Sequence, residues 1–176
     1  MPTLISEDYR RLNAKLHEDE PNFGARSYDD IGIIVRAIQQ NGFRGVLDYG
    51  CGKGTFKVRL AEHLPEVHVE EYDPAISGKD GDPKPQDLVI VMDVMEHIES
   101  DCVDAVLAHI GEKSLVSAIF LISNKPASKT LPDGRNAHLT VEAPEWWESK
   151  INAHFDVLQL EDMGGRCLMG CARKRV

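Results

Sequence analysis

Apolar positions fall into two recurring patterns along the chain. Short consecutive apolar runs alternate with longer stretches in which apolar residues return every three or four positions. Residues 6–20 are polar with Tyr9, Leu12 and Leu16 on one helical stripe. "DDIGIIVRAIQQNG" reads as a helix with Ile31, Ile34, Val35 and Ile38 inward, Asp29 or Asp30 as cap, and Gly42 as its end. "GVLDYG" is a short buried strand, followed by a helix over "TFKVRLAEHL" that Pro65 closes. "VHVEEYD" alternates as a strand at Val67, Val69 and Tyr72. "PAISGKDGDPKPQ" is broken by glycine and proline and reads as loop.

The second half repeats the alternation. "DLVIVMDV" is a fully buried strand, and "ESDCVDAVLAHIGE" is a helix with Val103, Val106, Leu107 and Ile110 inward. "SAIFLIS" is the next strand. The loop "NKPASKTLPDGRNAHLTVEA" is long, and long loops in compact domains are usually functional. "PEWWESKINAHF" opens a helix with proline in its first turn. "DVLQLED" and "RCLMGCARK" are strands joined by "MGG", a hairpin signal. Strands alternating with helices predict an α/β fold: a mostly parallel sheet with helices on both faces and an antiparallel strand near the end.

The 176 residues fit one domain, and 42% hydrophobic with 28% charged residues predicts a packed core. A formal net charge of -9 disfavours nucleic acid as a partner, because non-specific binding depends on Lys and Arg neutralising phosphates. The basic cluster "ARKRV" reads as a solvated strand end. No apolar run approaches the ~20 residues that span a bilayer. The N-terminus turns acidic within seven residues and is not read as a signal peptide. Cys51, Cys102, Cys167 and Cys171 show no CxxC spacing; they read as free thiols in a cytoplasmic protein. Cys167 and Cys171, four apart in a strand, face the same side.

Three segments carry chemistry. In "VLDYGCGKGTF" the glycines Gly50, Gly52 and Gly54 sit at every second position. A glycine turn between strand and helix admits a ligand close to the backbone and aims free N–H groups at it. A dinucleotide site uses G-x-G-x-x-G; here the third glycine comes one residue early. Asp48 at the strand end repels a pyrophosphate and attracts an ammonium, which favours S-adenosylmethionine over NAD; the alternative is a capping Asp at a structural turn. Asp73 ends the second strand, where an acid accepts ribose hydroxyls or else serves the turn before Pro74. "VIVMDVMEHIE" places Asp93, Glu96 and His97 after a buried strand; Asp93 and Glu96 alternatively form a helix-capping box.

In this order and spacing, "VLDYGCGKG", "YDP" and "VIVMDVMEHIE" resemble the class I S-adenosylmethionine-dependent methyltransferases, the last segment looking like the "D-V-x-E-H" signature of small-molecule members. The resemblance runs from about residue 30 to the end. It implies a Rossmann-like three-layer sandwich with a mostly parallel seven-stranded sheet, or one shortened where a helix and strand give way to loop, and an antiparallel C-terminal hairpin, in one domain over 1–176. It also implies that Asp48 and Gly50 hold the methionine end, that Gly52 lies under the cofactor, that Asp73 binds ribose, and that Asp93 sits by the methionine or sulfonium. Cys51, Pro74 and Val94 join this cofactor set. One departure stands out: only "PAISGKDGDPKPQ" separates Asp73 from Asp87, where the family has a further helix and strand. Asp80, Gly81 and Asp82 are then the candidates for contacts to the adenine.

On the acceptor side, His138 is a candidate base, Arg135 a candidate anchor for an anionic acceptor and Asn136 an orienting group. Trp146 and Trp147 are candidate pocket walls, against the alternatives that one packs the core and that Arg135 pairs with an acid. Residues 1–28 precede the core; Tyr9, Asn13, His17, Phe23 and Gly24 contribute to the site if this segment closes over it as in related methyltransferases, or belong to a plain packed helix. Asp93, Glu96, His97 and His138 also resemble the metal site of RNA 3'-terminal 2'-O-methyltransferases, but the expectation is a site without metal. The reading is thus methyl transfer from S-adenosylmethionine to a small molecule, O- ahead of N-methylation, by a monomer or homodimer. RNA ribose methylation and a non-catalytic S-adenosylmethionine-binding module are the alternatives.

Overall fold

The computed structural model describes residues 3–20, 22–26, 28 and 31–173. Asp29 and Asp30, expected as helix caps, lie outside the described residues, as do Lys174 and Arg175 of the basic cluster.

Six strands form one sheet: β1 (Gly45–Tyr49), β2 (His68–Tyr72), β3 (Gln86–Met92), β4 (Ser114–Ser123), β5 (Phe155–Asp162) and β6 (Arg166–Arg173). Their order is β2-β1-β3-β4-β6-β5. β2, β1, β3 and β4 run parallel, while β6 is antiparallel to both β4 and β5. β1 is buried at all five positions, as expected of a central parallel strand covered on both faces.

Alternation along the strands splits the core in two. Leu47, Val89, Val91 and Phe120 face one layer with Val103, Val106, Leu107 and Ile110 of α4 (Val103–Lys113) and Trp147 and Ile151 of α5 (Pro144–Ile151). Val46, Leu88, Ile90 and Leu121 face the other, against Ile31, Ile34 and Ile38 of α2 (Ile31–Asn41) and Phe56 and Leu60 of α3 (Thr55–Ala61). The period of two along each strand sends successive side chains to opposite layers, which makes the three-layer sandwich. A third, smaller cluster joins Tyr9 and Leu16 of α1 (Glu7–Asp19) to Leu131 and Ala137 of the loop 124–143.

The seven strands implied by the family resemblance are corrected to six among the described residues. Thirteen residues, 73–85, return the chain from the end of β2 to the start of β3. That length is about the minimum for a parallel crossover and leaves no room for a helix and an extra strand. The segment is tied to α4 by the Asp82 carboxylate, which accepts from Lys113 Nζ at 2.6 Å and lies 3.1 Å from His109 Nε2. Two helix boundaries also move. The helix expected over 99–112 begins with a 3₁₀ turn at Ser100–Cys102 and becomes α-helical at Val103, and α3 ends at Ala61, short of Pro65. No helix among the described residues is long and apolar enough to cross a membrane.

Candidate functional site

The chain leaves β1, returns as β2 on one side, and then crosses to β3 on the other. A crevice opens at the carboxyl ends of strands where the order reverses in this way. Here it is a cleft of ≈ 610 Å³ that includes Gly50, Cys51, Gly52, Asp73, Pro74, Asp93 and Val94 in its lining. The volume is in the range of small-molecule sites.

The turn after β1 needs its glycines. Gly50, Gly52 and Gly54 have φ of 77°, 50° and 74°, a region that side-chain-bearing residues rarely adopt. A Cβ on Gly50 would meet Val94 Cγ2 at 2.5 Å, and one on Gly52 would collide with the Gly24 carbonyl. That carbonyl accepts from Lys53 N at 3.0 Å, so the N-terminal segment is laced directly onto the turn. Gly50 N and Cys51 N donate to the Tyr72 carbonyl, which binds the turn to the end of β2.

The three acids occupy different settings. Asp48 is 1% exposed and lies beneath the turn, outside the cleft lining, with Oδ2 lacking any partner. Burial, reinforced by the nearby Glu71 charge, pushes its carboxyl up to about 8. Asp73 accepts from Gly52 N through Oδ2 (3.1 Å) and from Ala75 N through Oδ1 (3.0 Å), so it shapes the turn before Pro74 while lining the cleft. Asp93 stands at φ 55°, a strained backbone for a residue with a side chain. Its Oδ2 accepts from Arg26 at 2.6 Å, and Arg166 approaches Oδ1 at 3.5 Å. The capping box weighed as the alternative for Asp93 and Glu96 does not form: Val94 occupies the cap position of the 3₁₀ turn Met95–His97, and Glu96 Oε1 accepts from Ser123 N.

The N-terminal segment lines the opposite wall. Tyr9, Asn13, His17, Phe23 and Gly24 all border the cleft. α1 is capped by Ser6, whose Oγ accepts from Tyr9 N at 3.1 Å. The Ser6 N–H and hydroxyl both donate to the Glu99 carboxylate at 2.8 Å, which fixes the start of α1 to the core. His17 is held neutral to lower pH than usual, chiefly by burial.

The loop 124–143 is organised by Asn136. Its Oδ1 accepts from Ala127 N and His138 N, and its Nδ2 donates to the Ala127 carbonyl, each at 2.9 Å. His138 sits against His97, ring centroids 4.8 Å apart and perpendicular. His97 lines the cleft; His138 stands behind it. Burial, with His138 beside it, pushes His97 down to about 4, and burial raises Glu96 to about 7. Arg135 points away: it pairs with Asp133 at 2.7 Å and lies over the Tyr9 ring. Trp147 is fully buried in the core, and neither tryptophan borders the cleft. Asp80, Gly81 and Asp82 lie outside the cleft lining, Asp82 being engaged with α4.

Arg26, Tyr28 and Arg166 belong to the cleft without having been singled out in the sequence. Their signal is weak because each comes from a segment distant in sequence, and a lone arginine carries no spacing rule.

No protein-family profile matches the chain, and no curated protein matches it by sequence. Solved structures do match. A 1,6-didemethyltoxoflavin-N1-methyltransferase from Burkholderia thailandensis, with 1,6-didemethyltoxoflavin and S-adenosylhomocysteine bound, superposes with a TM-score of 0.67 at 18% identity over 99% of this chain and 93% of its own. A magnesium protoporphyrin IX methyltransferase from Synechocystis with bound S-adenosylmethionine gives 0.65 at 13% identity over 96% and 99%. An O-methyltransferase family protein from Burkholderia thailandensis gives 0.63 at 13% identity over 97% of this chain, which spans 63% of that protein's length. Against a Nostoc punctiforme structure described as an O-methyltransferase the chain spans 59% of the length. The fold is therefore that of the class I S-adenosylmethionine-dependent methyltransferases, with a six-stranded sheet.

Proposed function

We propose that the chain transfers a methyl group from S-adenosylmethionine to a small-molecule acceptor, with a hydroxyl oxygen ahead of a nitrogen as the atom methylated. The observation that carries this reading is the cleft at the strand reversal, where the glycine turn, Asp73 and Asp93 converge. The residues present fit the cofactor. Asp48 Oδ2 is a buried carboxyl oxygen without a donor directly beneath the turn, and an ammonium drawn in at Gly50 favours its ionised form. Gly50 and Gly52 keep open a surface that a Cβ could not occupy.

When bound, S-adenosylmethionine supplies a sulfonium methyl carbon that an acceptor hydroxyl can attack in line, the C–S electron pair leaving on sulfur and the hydroxyl proton going to base or solvent. Asp48 and Gly50 hold the methionine end and Asp73 the ribose. Cys51, Gly52 and Pro74 pack against the cofactor, and Asp93 and Val94 border the sulfonium. Asp93 is oriented by Arg26, which donates to its Oδ2. Tyr9, His17 and Phe23 cover the cleft and keep water from the reacting atoms. His97 and His138 form the end of the site where the acceptor hydroxyl is activated. Asn136 is a positioning residue that presents His138, and Arg135 steadies the loop against α1. The net charge of -9 favours a small acceptor over RNA.

Calorimetric titration with S-adenosylmethionine and with NAD tests the cofactor. Binding of NAD with no response to S-adenosylmethionine refutes the reading. Release of S-adenosylhomocysteine with metabolite pools separates an enzyme from a binding module, and RNA as acceptor tests the alternative substrate.

A further inference from the structure

We propose that Arg166 holds an oxyanion of the methyl acceptor, a carboxylate or a phosphate, so that the acceptor is an anionic small molecule; this rests on the methyl-transfer reading. Arg166 opens β6, where it pairs in register with Ser123, the last residue of β4. β6 runs antiparallel to β4, so its first residue lies at the carboxyl ends of the parallel strands, the edge that carries the glycine turn, Asp73 and Asp93. The hairpin turn fixes it there. Asn124 N donates to the Gly165 carbonyl (2.9 Å), Met163 N to the Arg166 carbonyl (2.8 Å) and Lys125 Nζ to the Gly164 carbonyl (2.9 Å).

The Arg166 guanidinium borders the cleft with its donors unspent. Its one ion pair among the described residues is with Asp93 Oδ1 at 3.5 Å, and Asp93 Oδ1 has no hydrogen-bond partner. The other oxygen of that carboxyl is taken by Arg26 at 2.6 Å. The strained backbone of Asp93 sets the carboxyl between the two arginines and so keeps both cations on one wall. A guanidinium offers five N–H donors in a planar fork that matches two oxygens of a carboxylate or phosphate. Among the described residues the Arg166 side chain makes no hydrogen bond, and it is half-exposed.

Charge points the same way. Of the acids bordering the cleft, Asp73 is engaged with Gly52 N and Ala75 N at the ribose end. Asp93 alone then faces both Arg26 and Arg166, which leaves one positive charge over in a chain of net charge -9. Glu96 does not border the cleft; burial raises it to about 7, and the Arg166 charge works against that rise. That interaction places the guanidinium within electrostatic reach of the residue next to His97, at the end of the site where the acceptor hydroxyl is activated. Arg135, the anchor expected from the sequence, is turned to Asp133, and Arg166 takes its place.

The test is calorimetry of the full chain with 4-hydroxybenzoate, 4-hydroxyphenyl phosphate and the neutral 4-hydroxybenzamide, with and without saturating S-adenosylhomocysteine. The three probes share a hydroxyl and differ in the group opposite it. At least one of the two anions should bind about 10–100-fold more tightly than the amide, the worth of hydrogen bonds to a charged group. The anion with the larger preference tells carboxylate from phosphate. Arg166→Gln should abolish the preference, while Arg36→Gln, an exposed arginine of α2 outside the cleft lining, should retain it. Circular dichroism melts report that both variants fold. No binding of either anion, equal binding of anions and amide, or a preference that survives in Arg166→Gln overturns the proposal. So does a loss of S-adenosylhomocysteine affinity in Arg166→Gln with the preference intact, which would give the fork to the cofactor's own carboxylate. An Arg166-dependent preference in a chain that binds neither S-adenosylmethionine nor S-adenosylhomocysteine keeps the anion site and refutes methyl transfer. Cofactor binding without the preference keeps methyl transfer and refutes the anionic acceptor.

Discussion

Asp48→Asn should make the unliganded protein more stable and the cofactor bind more weakly, and the stability gain should grow with pH. The Asp48 carboxyl is raised from 3.8 to about 8, first by burial and then by Glu71. Between those values the unfolded chain has released the proton and the folded chain retains it. Stability from this group is full below the unfolded value, falls as pH rises, and is lost once pH passes about 8. One pKa unit corresponds to about 1.4 kcal/mol, so moving from pH 6 to pH 8 removes about 2 kcal/mol, allowing for the curve flattening near its upper end. Asparagine does not titrate. Other ionisable groups are common to both proteins and cancel in the difference. For a chain of this length each kcal/mol shifts Tm by roughly 2–4 °C, so the melting difference should widen by roughly 4–8 °C across that range. Thermal melts followed by circular dichroism at pH 6, 7 and 8 measure it. Calorimetry should show S-adenosylmethionine affinity reduced about 10–100-fold, the worth of a hydrogen bond to a charged group. A melting difference that stays flat from pH 6 to pH 8 refutes the argument that Asp48 is protonated in the unliganded fold.

Gly52→Ala places a methyl against the Gly24 carbonyl at a φ of 50° and should destabilise by about 1–3 kcal/mol, seen in urea unfolding together with loss of cofactor binding. Asn136→Ala removes three hydrogen bonds that shape the loop 124–143 and should cost about 2–3 kcal/mol, with amide exchange rising in that loop before the sheet. Ser6→Ala removes the helix cap and the hydroxyl's bond to Glu99 while the backbone N–H keeps its own; α1 should open locally by about 1–2 kcal/mol in hydrogen exchange while the melting of the sheet changes little.

Much of the architecture is legible in the sequence because it rests on local rules. The unbroken run "GVLDY" marks β1 as a strand buried on both faces, and the β-branched and aromatic residues Val69 and Tyr72 mark the buried positions of β2. The glycines of the first turn are legible for the same reason: their positive φ is a property of single residues. The helix boundaries at Val103 and Ala61 were not, because 3₁₀ turns and frayed ends differ little in pattern from helix. The strand count implied by family resemblance gave way to the thirteen-residue connection, whose length was already visible in the chain.

By itself, the sequence determined the layers of this protein and the row of chemical groups at the strand ends, because periodicity and turn chemistry act within a few residues. The tertiary structure decided which of those groups meet. Arg26 reaches Asp93 across 67 positions, and His138 reaches His97 through a loop folded around Asn136. Asp48 turned out to lie beneath the turn with an unpartnered oxygen, and Arg135 turned away to Asp133. Such pairings depend on how separate segments pack, and packing is a property of the whole chain that no local spacing encodes.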